Sequence, residues 1–309
     1  MAEKKKFKSY RISILRTTTQ IISFILIFGG SFGLAASFIV LPIMAPLGNP
    51  YTTVAGAWQL MEFLLTMAIF PFIAITVIAL GSLLIGRAFC GWVCPFGFIS
   101  DVIYYLGKKK RVSNPTNNAL YKLSIFIAAV FIFIDVTIGY NEYMGSSIYG
   151  YFGDFAREPS SIIDPTSTIF SLLFWYVAWG LYPKNVTELT TLVSYPLAFW
   201  FRIFVLIIAI LMNYFVPRAW CRWICPLGGI MSIGTPYKLV KVYLDPSKCL
   251  GPTCSLCVKS CPMGISILDY KGHISNPLCI SCLKCLEACP TKAISVKICL
   301  LYTSPSPRD

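Results

Sequence analysis

Long apolar runs separated by polar loops dominate the hydropathy pattern of this chain. Four of them are long enough to cross about 30 Å of hydrocarbon as a helix. They cover residues 21–41, 58–85, 120–140 and 195–215. The pattern therefore predicts an α-helical membrane protein with four transmembrane helices. The first run is longer than a signal-peptide core and no small-x-small cleavage site follows it, so we expect an uncleaved anchor.

An eleven-residue motif occurs twice, each time where an apolar run ends. It begins at Arg87 and again at Arg218, an offset of 131 residues, and reads R-A-[FW]-C-x-W-[VI]-C-P-[FL]-G. Two spans, this motif and a short amphipathic segment such as 95–106 make one unit, and the unit then recurs. We expect two pseudo-repeated helix pairs, related by an axis near the membrane normal. Both motifs then meet on the cytoplasmic face.

A fifth apolar stretch, residues 166–182, is short and is bracketed by Pro165 and Pro183. Counting it as a span would place the two matched motifs on opposite sides of the membrane. We therefore predict an interfacial or re-entrant helix there, with its Trp and Tyr residues at headgroup depth. With four spans, the basic segment 1–20, the cluster 108–111 and the lysine-rich C-terminal segment all lie in the cytoplasm.

Eight cysteines between residues 249 and 289 follow the spacing of a bacterial ferredoxin with two clusters. The series are Cys249-x4-Cys254-x2-Cys257-x3-Cys261-Pro and Cys279-x2-Cys282-x2-Cys285-x3-Cys289-Pro. In such runs the fourth cysteine ligates the other cluster. The spacing predicts one [4Fe–4S] cluster on Cys249, Cys254, Cys257 and Cys289, and a second on Cys279, Cys282, Cys285 and Cys261. Thiolate quartets also suit zinc, but the paired spacings and the proline after each fourth cysteine favour iron–sulfur.

This segment, residues 244–298, is predicted to be an α+β dicluster ferredoxin domain following a membrane domain over 21–243. Its first series carries two additional residues, Gly251 and Pro252, which we interpret as a loop insertion. His273 is predicted to be a hairpin residue. Residues 299–309 change abruptly to a Ser/Pro-rich composition that resembles adapter read-through, so we interpret them as a non-native tail.

Composition narrows the function further. The net charge of +13 over 309 residues could suggest nucleic-acid binding, but the basic residues cluster beside apolar runs, which excludes that class. The single histidine excludes bis-histidine haem as the carrier within the membrane. Twelve of the thirteen cysteines fall into four groups with the spacing of metal ligands and Cys299 is left over, which indicates a reducing compartment.

The four cysteines of the repeated motif are the second candidate site: Cys90, Cys94, Cys221 and Cys225. Their i, i+4 spacing would keep both thiols of a pair on one helical face. Three interpretations remain open: buried packing residues, a metal ion or cluster held by four thiolates, or a redox-active pair of dithiols.

Three ionisable residues lie inside the predicted spans, namely Glu62, Asp135 and Arg202. Charges in hydrocarbon are costly and are usually paired or functional. They form either a structural cluster of acids and arginine or a proton-handling group beside a quinol site.

The combination of four spans, two C-x3-C-P motifs and a C-terminal dicluster ferredoxin resembles the NapH-type family of membrane polyferredoxins. It is also similar to the membrane cores of NosR regulators and of CcoG-type oxidase assembly proteins. The resemblance implies electron transfer in a prokaryotic cytoplasmic membrane, from the quinone pool through the ferredoxin clusters to or from a partner reductase. The absence of a flavin domain before the first span and of a folded domain after the ferredoxin favours the short NapH-like form.

Two functions follow from the sequence. The first is an electron-transfer subunit of a quinol dehydrogenase system, rather than a stand-alone enzyme. The second is an assembly factor that reduces or delivers copper or iron to another membrane oxidoreductase, in which case the four motif thiols would bind the metal transiently. A redox-sensing regulator lacks support because no output domain is evident.

Overall fold

A computed structural model describes residues 11–27, 39–45, 54–107, 112, 114–146, 153–173 and 197–298. The helices in this part of the chain are α1 (Arg11–Ile27), α2 (Ala57–Thr66), α3 (Phe72–Leu84), α4 (Ala88–Trp92), α5 (Pro95–Leu106), α6 (Asn114–Tyr143), α7 (Pro165–Ser167), α8 (Leu197–Phe215), α9 (Ala219–Trp223), α10 (Pro226–Gly234), α11 (Leu256–Ser260) and α12 (Lys284–Ala288). The strands are β1 (Ile39–Leu41), β2 (Val54–Gly56), β3 (Val240–Leu244), β4 (Gly272–His273) and β5 (Ile294–Ile298).

One helix among the described residues, over Pro115–Tyr143, is long and apolar enough to cross a membrane. It contains the predicted run 120–140. The run 195–215 corresponds to α8, whose apolar part, Phe199–Phe215, is shorter. Only the beginning of the run 21–41 lies in α1, and residues 28–38 lie outside the described part. The end of this run, Ile39–Leu41, is strand β1 paired with β2, so the prediction of a helix is wrong there. The protein is therefore mostly helical, with a small mixed domain at its C-terminal end.

The prediction of one continuous helix over 58–85 is wrong. Helix α2 ends at Thr66 and α3 begins at Phe72. Pro71 lies between them, and Ala68 has a φ of 58°. A proline removes one backbone donor, clashes with the preceding turn and disfavours helical geometry in the residue before it. The apolar pattern continues across this break because hydropathy does not register the backbone of proline.

Helix α6 packs on both α2 and α10. Glycine permits the close contact with α10, because a Cβ on Gly229 would lie 2.5 Å from the carbonyl oxygen of Ser124. Gly139 allows a similar approach of α6 to the backbone of Leu65 in α2. Part of the buried core therefore lies between these three helices.

Residues 166–182 are described only up to 173. The helix α7 begins at Pro165 with Asp164 as its cap, whose side chain accepts hydrogen bonds from the amides of Thr166 and Ser167. A π-helical turn over Thr168–Leu173 follows. The rest of the predicted interfacial or re-entrant helix lies outside the described residues.

A three-stranded antiparallel sheet with strand order β4-β3-β5 supports the C-terminal domain. In its register Val240 pairs with Ile298 and Leu244 with Ile294, so the sheet begins four residues before the predicted boundary at 244. Two short helices, α11 and α12, complete this domain. Both begin after a residue in the left-handed conformation, Ser255 and Leu283, so the two halves of the domain repeat the same local backbone.

Candidate iron–sulfur site and its junction with the paired cysteine motifs

The eight ferredoxin cysteines surround two separate cavities. One is lined by Cys261, Cys279, Cys282 and Cys285. The other is lined by Cys249, Cys254, Cys257 and Cys289. These are the two quartets that the sequence spacing predicts. In each quartet the fourth thiol of one series joins the first three of the other.

Apolar side chains enclose the first of these cavities. Val242, Met263 and Ile265 line it and are nearly fully buried. Burial raises the pKa of Cys261 to about 12, and it also raises the pKa of Cys285. In the absence of a ligand, burial keeps these thiols protonated. A bound metal or cluster requires them as thiolates, so its binding would release their protons. Four soft donors in a dry pocket of this kind fit a [4Fe–4S] cluster.

In the paired motifs, the two cysteines of each copy occupy different helices. Cys90 lies inside the short helix α4, whereas Cys94 precedes Pro95 and is the N-cap of α5. The second copy repeats this arrangement, with Cys221 in α9 and Cys225 as the N-cap of α10. The expectation that both thiols lie on one helical face is therefore wrong. The proline disfavours helical geometry in the preceding cysteine, which has ψ near 120° in both copies.

The two motifs exchange their arginines. Arg218 of the second motif donates a hydrogen bond of 2.5 Å to the carbonyl oxygen of Cys90, and Arg87 of the first motif donates to the carbonyl oxygen of Cys221. Each arginine also packs on the last glycine of the other motif. A Cβ on Gly97 would lie 3.3 Å from Arg218, and one on Gly228 would lie 2.5 Å from Arg87. Reciprocal contacts of this kind explain why the motif begins with arginine and ends with glycine.

All four motif thiols are buried, with residue exposures between 6% and 9%. They lie close enough to interact electrostatically, since Cys225 faces Cys221, Cys90 and Cys94. Burial, and then the neighbouring thiols, raise the pKa of Cys94 and Cys225. The four buried thiols of the two motifs therefore lie within electrostatic range of one another.

Asp101, in α5, joins the paired motifs to the N-terminal helix. Arg218 binds its carboxylate through two hydrogen bonds of 2.9 and 2.8 Å, and Arg16 of α1 also pairs with it. Arg16 Nε donates a bond of 2.8 Å to the carbonyl oxygen of Gly91 in the first motif. A further contact links Ser13 of α1 to Glu287 of the ferredoxin domain.

Positive charge is concentrated in this buried junction. The cations Arg16, Arg87, Arg218, Arg222 and Lys238 are each at most 2% exposed. Burial lowers the pKa of Arg16 and of Arg222 to about 10. Arg87 Nε and Nη1 and Arg222 Nε have no hydrogen-bond partner among the described residues. Buried charges require compensation, so the junction fits an anionic, thiolate-bound group.

The first motif is in direct contact with the ferredoxin loop between Cys279 and Cys282. The indole N–H of Trp92 donates a bond of 3.0 Å to the carbonyl oxygen of Ser281. A Cβ on Gly91 would lie 2.7 Å from the carbonyl oxygen of Ile280, so only glycine fits there. Lys238 Nζ also donates to the Ser281 hydroxyl at 2.8 Å.

The second motif reaches the same cluster site from another side. Arg222 donates to the carbonyl oxygen of Pro262, which follows Cys261. Trp223 donates to Asn117 at 3.1 Å, and Asn117 donates in turn to the carbonyl oxygen of Met263 at 3.0 Å. Gly91 and Arg222 are equivalent positions of the repeat. They differ because one ferredoxin domain contacts both copies of the motif in different ways. This difference between glycine and arginine is visible in the sequence, but sequence reasoning missed what it meant.

We call the quartet that includes Cys282 the proximal site and the quartet that includes Cys254 the distal site. The proximal site lies against the paired motifs through the contacts of Ile280, Ser281 and Pro262.

The three ionisable residues of the predicted spans do not occupy one cluster. Glu62 is fully buried and accepts hydrogen bonds from Ser160, at 2.7 Å from its hydroxyl and 3.3 Å from its amide. Asp135, on α6, is fully buried, and neither of its oxygens has a hydrogen-bond partner among the described residues. It lies within electrostatic range of Glu62. Arg202 instead contacts Thr168 at 3.4 Å and the ring of Phe155.

Comparison with known families agrees with the two kinds of cysteine site. Residues 67–113 and 197–235, which contain the two motifs, match a 4Fe-4S binding domain. Residues 241–292 match a 4Fe-4S dicluster domain. The prediction of [4Fe–4S] clusters as cofactors is therefore confirmed.

Three relatives bear on the family. The chain is 27% identical to the putative electron transport protein YccM of Escherichia coli, over 81% of this chain and 60% of that protein. It is 27% identical to the regulatory protein NosR of Stutzerimonas stutzeri, over 67% of this chain and 24% of NosR. It is 21% identical to the ferredoxin-type protein NapH of Haemophilus influenzae, over 80% of this chain and 74% of that protein. No solved structure matches. The chain is thus similar to the NapH- and NosR-like ferredoxin-type membrane proteins, and it carries two kinds of 4Fe-4S domain.

Proposed function

We propose that the protein carries electrons from quinol in the membrane, by way of the paired motifs and then the proximal and distal sites, to a redox partner. The observation that carries this proposal is the contact of the paired motifs with the proximal ligand loop, at Trp92–Ser281 and Gly91–Ile280. Iron–sulfur clusters supply one-electron carriers, and the chain supplies their spacing and their electrostatic environment.

The ligand assignment is part of this proposal. Cys249, Cys254, Cys257 and Cys289 hold the distal cluster, and Cys261, Cys279, Cys282 and Cys285 hold the proximal one. The four motif cysteines, Cys90, Cys94, Cys221 and Cys225, hold a third centre of anionic character. The support for this centre is the unpaired N–H groups of Arg87 beside four buried thiols.

Oxidation of one quinol to quinone releases two electrons and two protons. We propose that Asp135 and Glu62 accept these protons, because Asp135 is buried with both oxygens free of hydrogen bonds among the described residues and Glu62 is close to it. Both acids lie in apolar runs that we assign to a membrane domain, with the paired motifs and the ferredoxin domain in the cytoplasm.

The burial of the four motif thiols favours electron transfer over metal delivery. An assembly factor must hand its metal to a partner, which requires accessible ligands. The motif thiols are instead buried beneath the ferredoxin domain, at exposures below 10%. A centre in this position is suited to pass electrons to a neighbouring site inside the same chain.

The test is anaerobic reduction of the purified, cluster-loaded protein by a short-chain menaquinol. We expect bleaching of the iron–sulfur absorbance and appearance of the electron paramagnetic resonance signals of reduced clusters. Reduction of added copper or iron, with no reduction of the clusters, would instead support the assembly function.

A further inference from the structure

We propose that the loop between Cys249 and Cys254, together with the lysines around the distal site, is the docking surface for a soluble redox protein with an acidic surface. The proposal rests on the proposed function, because it names the place where electrons leave the chain. The loop consists of Leu250, Gly251, Pro252 and Thr253.

The two ferredoxin series provide an internal comparison. The loop after Cys279 contains Ile280, which is 1% exposed because it lies against the first paired motif. The corresponding loop after Cys249 contains Leu250, which is 59% exposed. The domain therefore uses one loop to contact the redox site of the membrane domain. The equivalent loop of the distal half presents an apolar side chain to solvent.

The additional residues Gly251 and Pro252 shape this exposed loop. Gly251 has a φ of 67°, and a Cβ there would meet no atom of the described residues within 4 Å. The loop thus projects away from the domain, while the amide of Gly251 still donates a bond of 3.4 Å to the sulfur of Cys249. A partner on this loop would therefore lie next to a distal ligand.

Both apolar and basic residues are exposed near the distal ligands. Leu256 is 44% exposed, and Pro252 and Pro290 are also exposed. Three exposed lysines, Lys248, Lys259 and Lys292, lie within three residues of a distal ligand in the chain. Lys248 pairs with Asp245 at 3.4 Å, which leaves the rim basic overall. An apolar centre with a charged rim is the usual anatomy of a protein interface, and a basic rim selects an acidic partner.

The test measures electron transfer from the reduced, full-length protein to two ferric probes, the acidic soluble domain of cytochrome b5 and the basic cytochrome c. One electron leaves the chain and reduces the haem iron. We expect the rate to cytochrome b5 to fall at least about tenfold between low and moderate salt, because steering is screened. Lys248→Glu/Lys292→Glu should lower it by a similar factor at low salt.

The matched control is Lys241→Glu/Lys297→Glu, whose lysines pair across β3 and β5 and lie at the opposite end of those strands from Leu244. We expect this control to retain the wild-type rate. Deletion of Gly251 and Pro252, which gives the loop the length of its counterpart, should also slow the reaction. An equal loss in both charge variants, or a rate to cytochrome b5 that is indifferent to salt, would overturn the proposal.

Reduction by menaquinol separates this proposal from the proposed function. The docking variants should be reduced by quinol at the wild-type rate, since they leave the membrane domain and the proximal site untouched. Failure of quinol reduction in the wild-type protein would contradict the proposed function alone.

Discussion

The guanidinium of Arg218 donates a 2.5 Å hydrogen bond to the carbonyl oxygen of Cys90, which precedes it by 128 residues. The same side chain binds Asp101 through two bonds. One residue thus fixes the first motif against the second and neutralises the carboxylate between them.

Replacement of Arg218 by alanine should therefore destabilise the protein by about 3–5 kcal/mol, the usual cost of removing one member of a buried charge pair. The measurement is the temperature at which the iron–sulfur absorbance is lost in detergent. Arg157→Ala is the control, because Arg157 is exposed. A wild-type melting profile for the Arg218 variant would show that the exchange of arginines does not hold the motifs together.

Gly91→Ala should displace the proximal ligand loop, because the new Cβ would lie 2.7 Å from the carbonyl oxygen of Ile280. We expect slower reduction of the ferredoxin clusters by quinol, with iron content unchanged. Gly145→Ala is the matched control, since no atom of the described residues lies within 4 Å of a Cβ built there, although its φ of 77° adds local strain. Equal reduction rates in both variants would remove the contact at Gly91 from the electron path.

Trp92→Phe and Trp223→Phe should differ in their effect on the midpoint potential of the clusters. Trp92 donates to Ser281 in the proximal ligand loop, whereas Trp223 donates to Asn117. Loss of the first bond leaves the Ser281 carbonyl without this donor, at a cost of about 1–3 kcal/mol. We expect a larger change in the midpoint potential of one cluster for Trp92→Phe than for Trp223→Phe, because Trp92 bonds the ligand loop directly and Trp223 reaches the site only through Asn117. The measurement is potentiometric titration with paramagnetic resonance. Identical potentials in both variants would contradict the assignment of the proximal site.

Asp135→Asn should slow quinol oxidation and leave the cluster signals intact, because the amide cannot take up a proton. Glu142→Gln is the control, an acid-to-amide change at an exposed position of the same helix, α6. Steady-state quinol oxidation with an artificial electron acceptor provides the measurement. Unchanged turnover in the Asp135 variant would show that this carboxyl does not handle protons.

The ferredoxin domain could be predicted from the sequence because its cysteines are close together in the chain. Cysteine spacing predicted which thiols line each of the two ferredoxin cavities, because geometry limits which thiols can lie around one cluster. It could not predict that Arg87 meets Cys221, since residues 134 apart in sequence are brought together only by tertiary packing. The break at Pro71 and the separate helices of Cys90 and Cys94 were missed for another reason. The predictions at these places rest on hydropathy and on i, i+4 spacing, and neither takes account of the way proline restricts the backbone.

The asymmetry of the repeat was visible in the sequence but had no meaning before the fold was known. The position after the first cysteine is glycine in one motif and arginine in the other. Only the contact of Gly91 with Ile280 and of Arg222 with Pro262 shows that a single ferredoxin domain contacts both copies.

The central claim, that electrons reach the ferredoxin clusters through the paired motifs, is tested by stopped-flow reduction with menaquinol. The variant is Cys90→Ser/Cys221→Ser, which removes one thiol from each motif and none from the ferredoxin series. The account predicts that this variant keeps the two ferredoxin clusters, as judged by iron content and dithionite-reduced spectra, yet loses their reduction by quinol. Reduction of those clusters at the wild-type rate would contradict it.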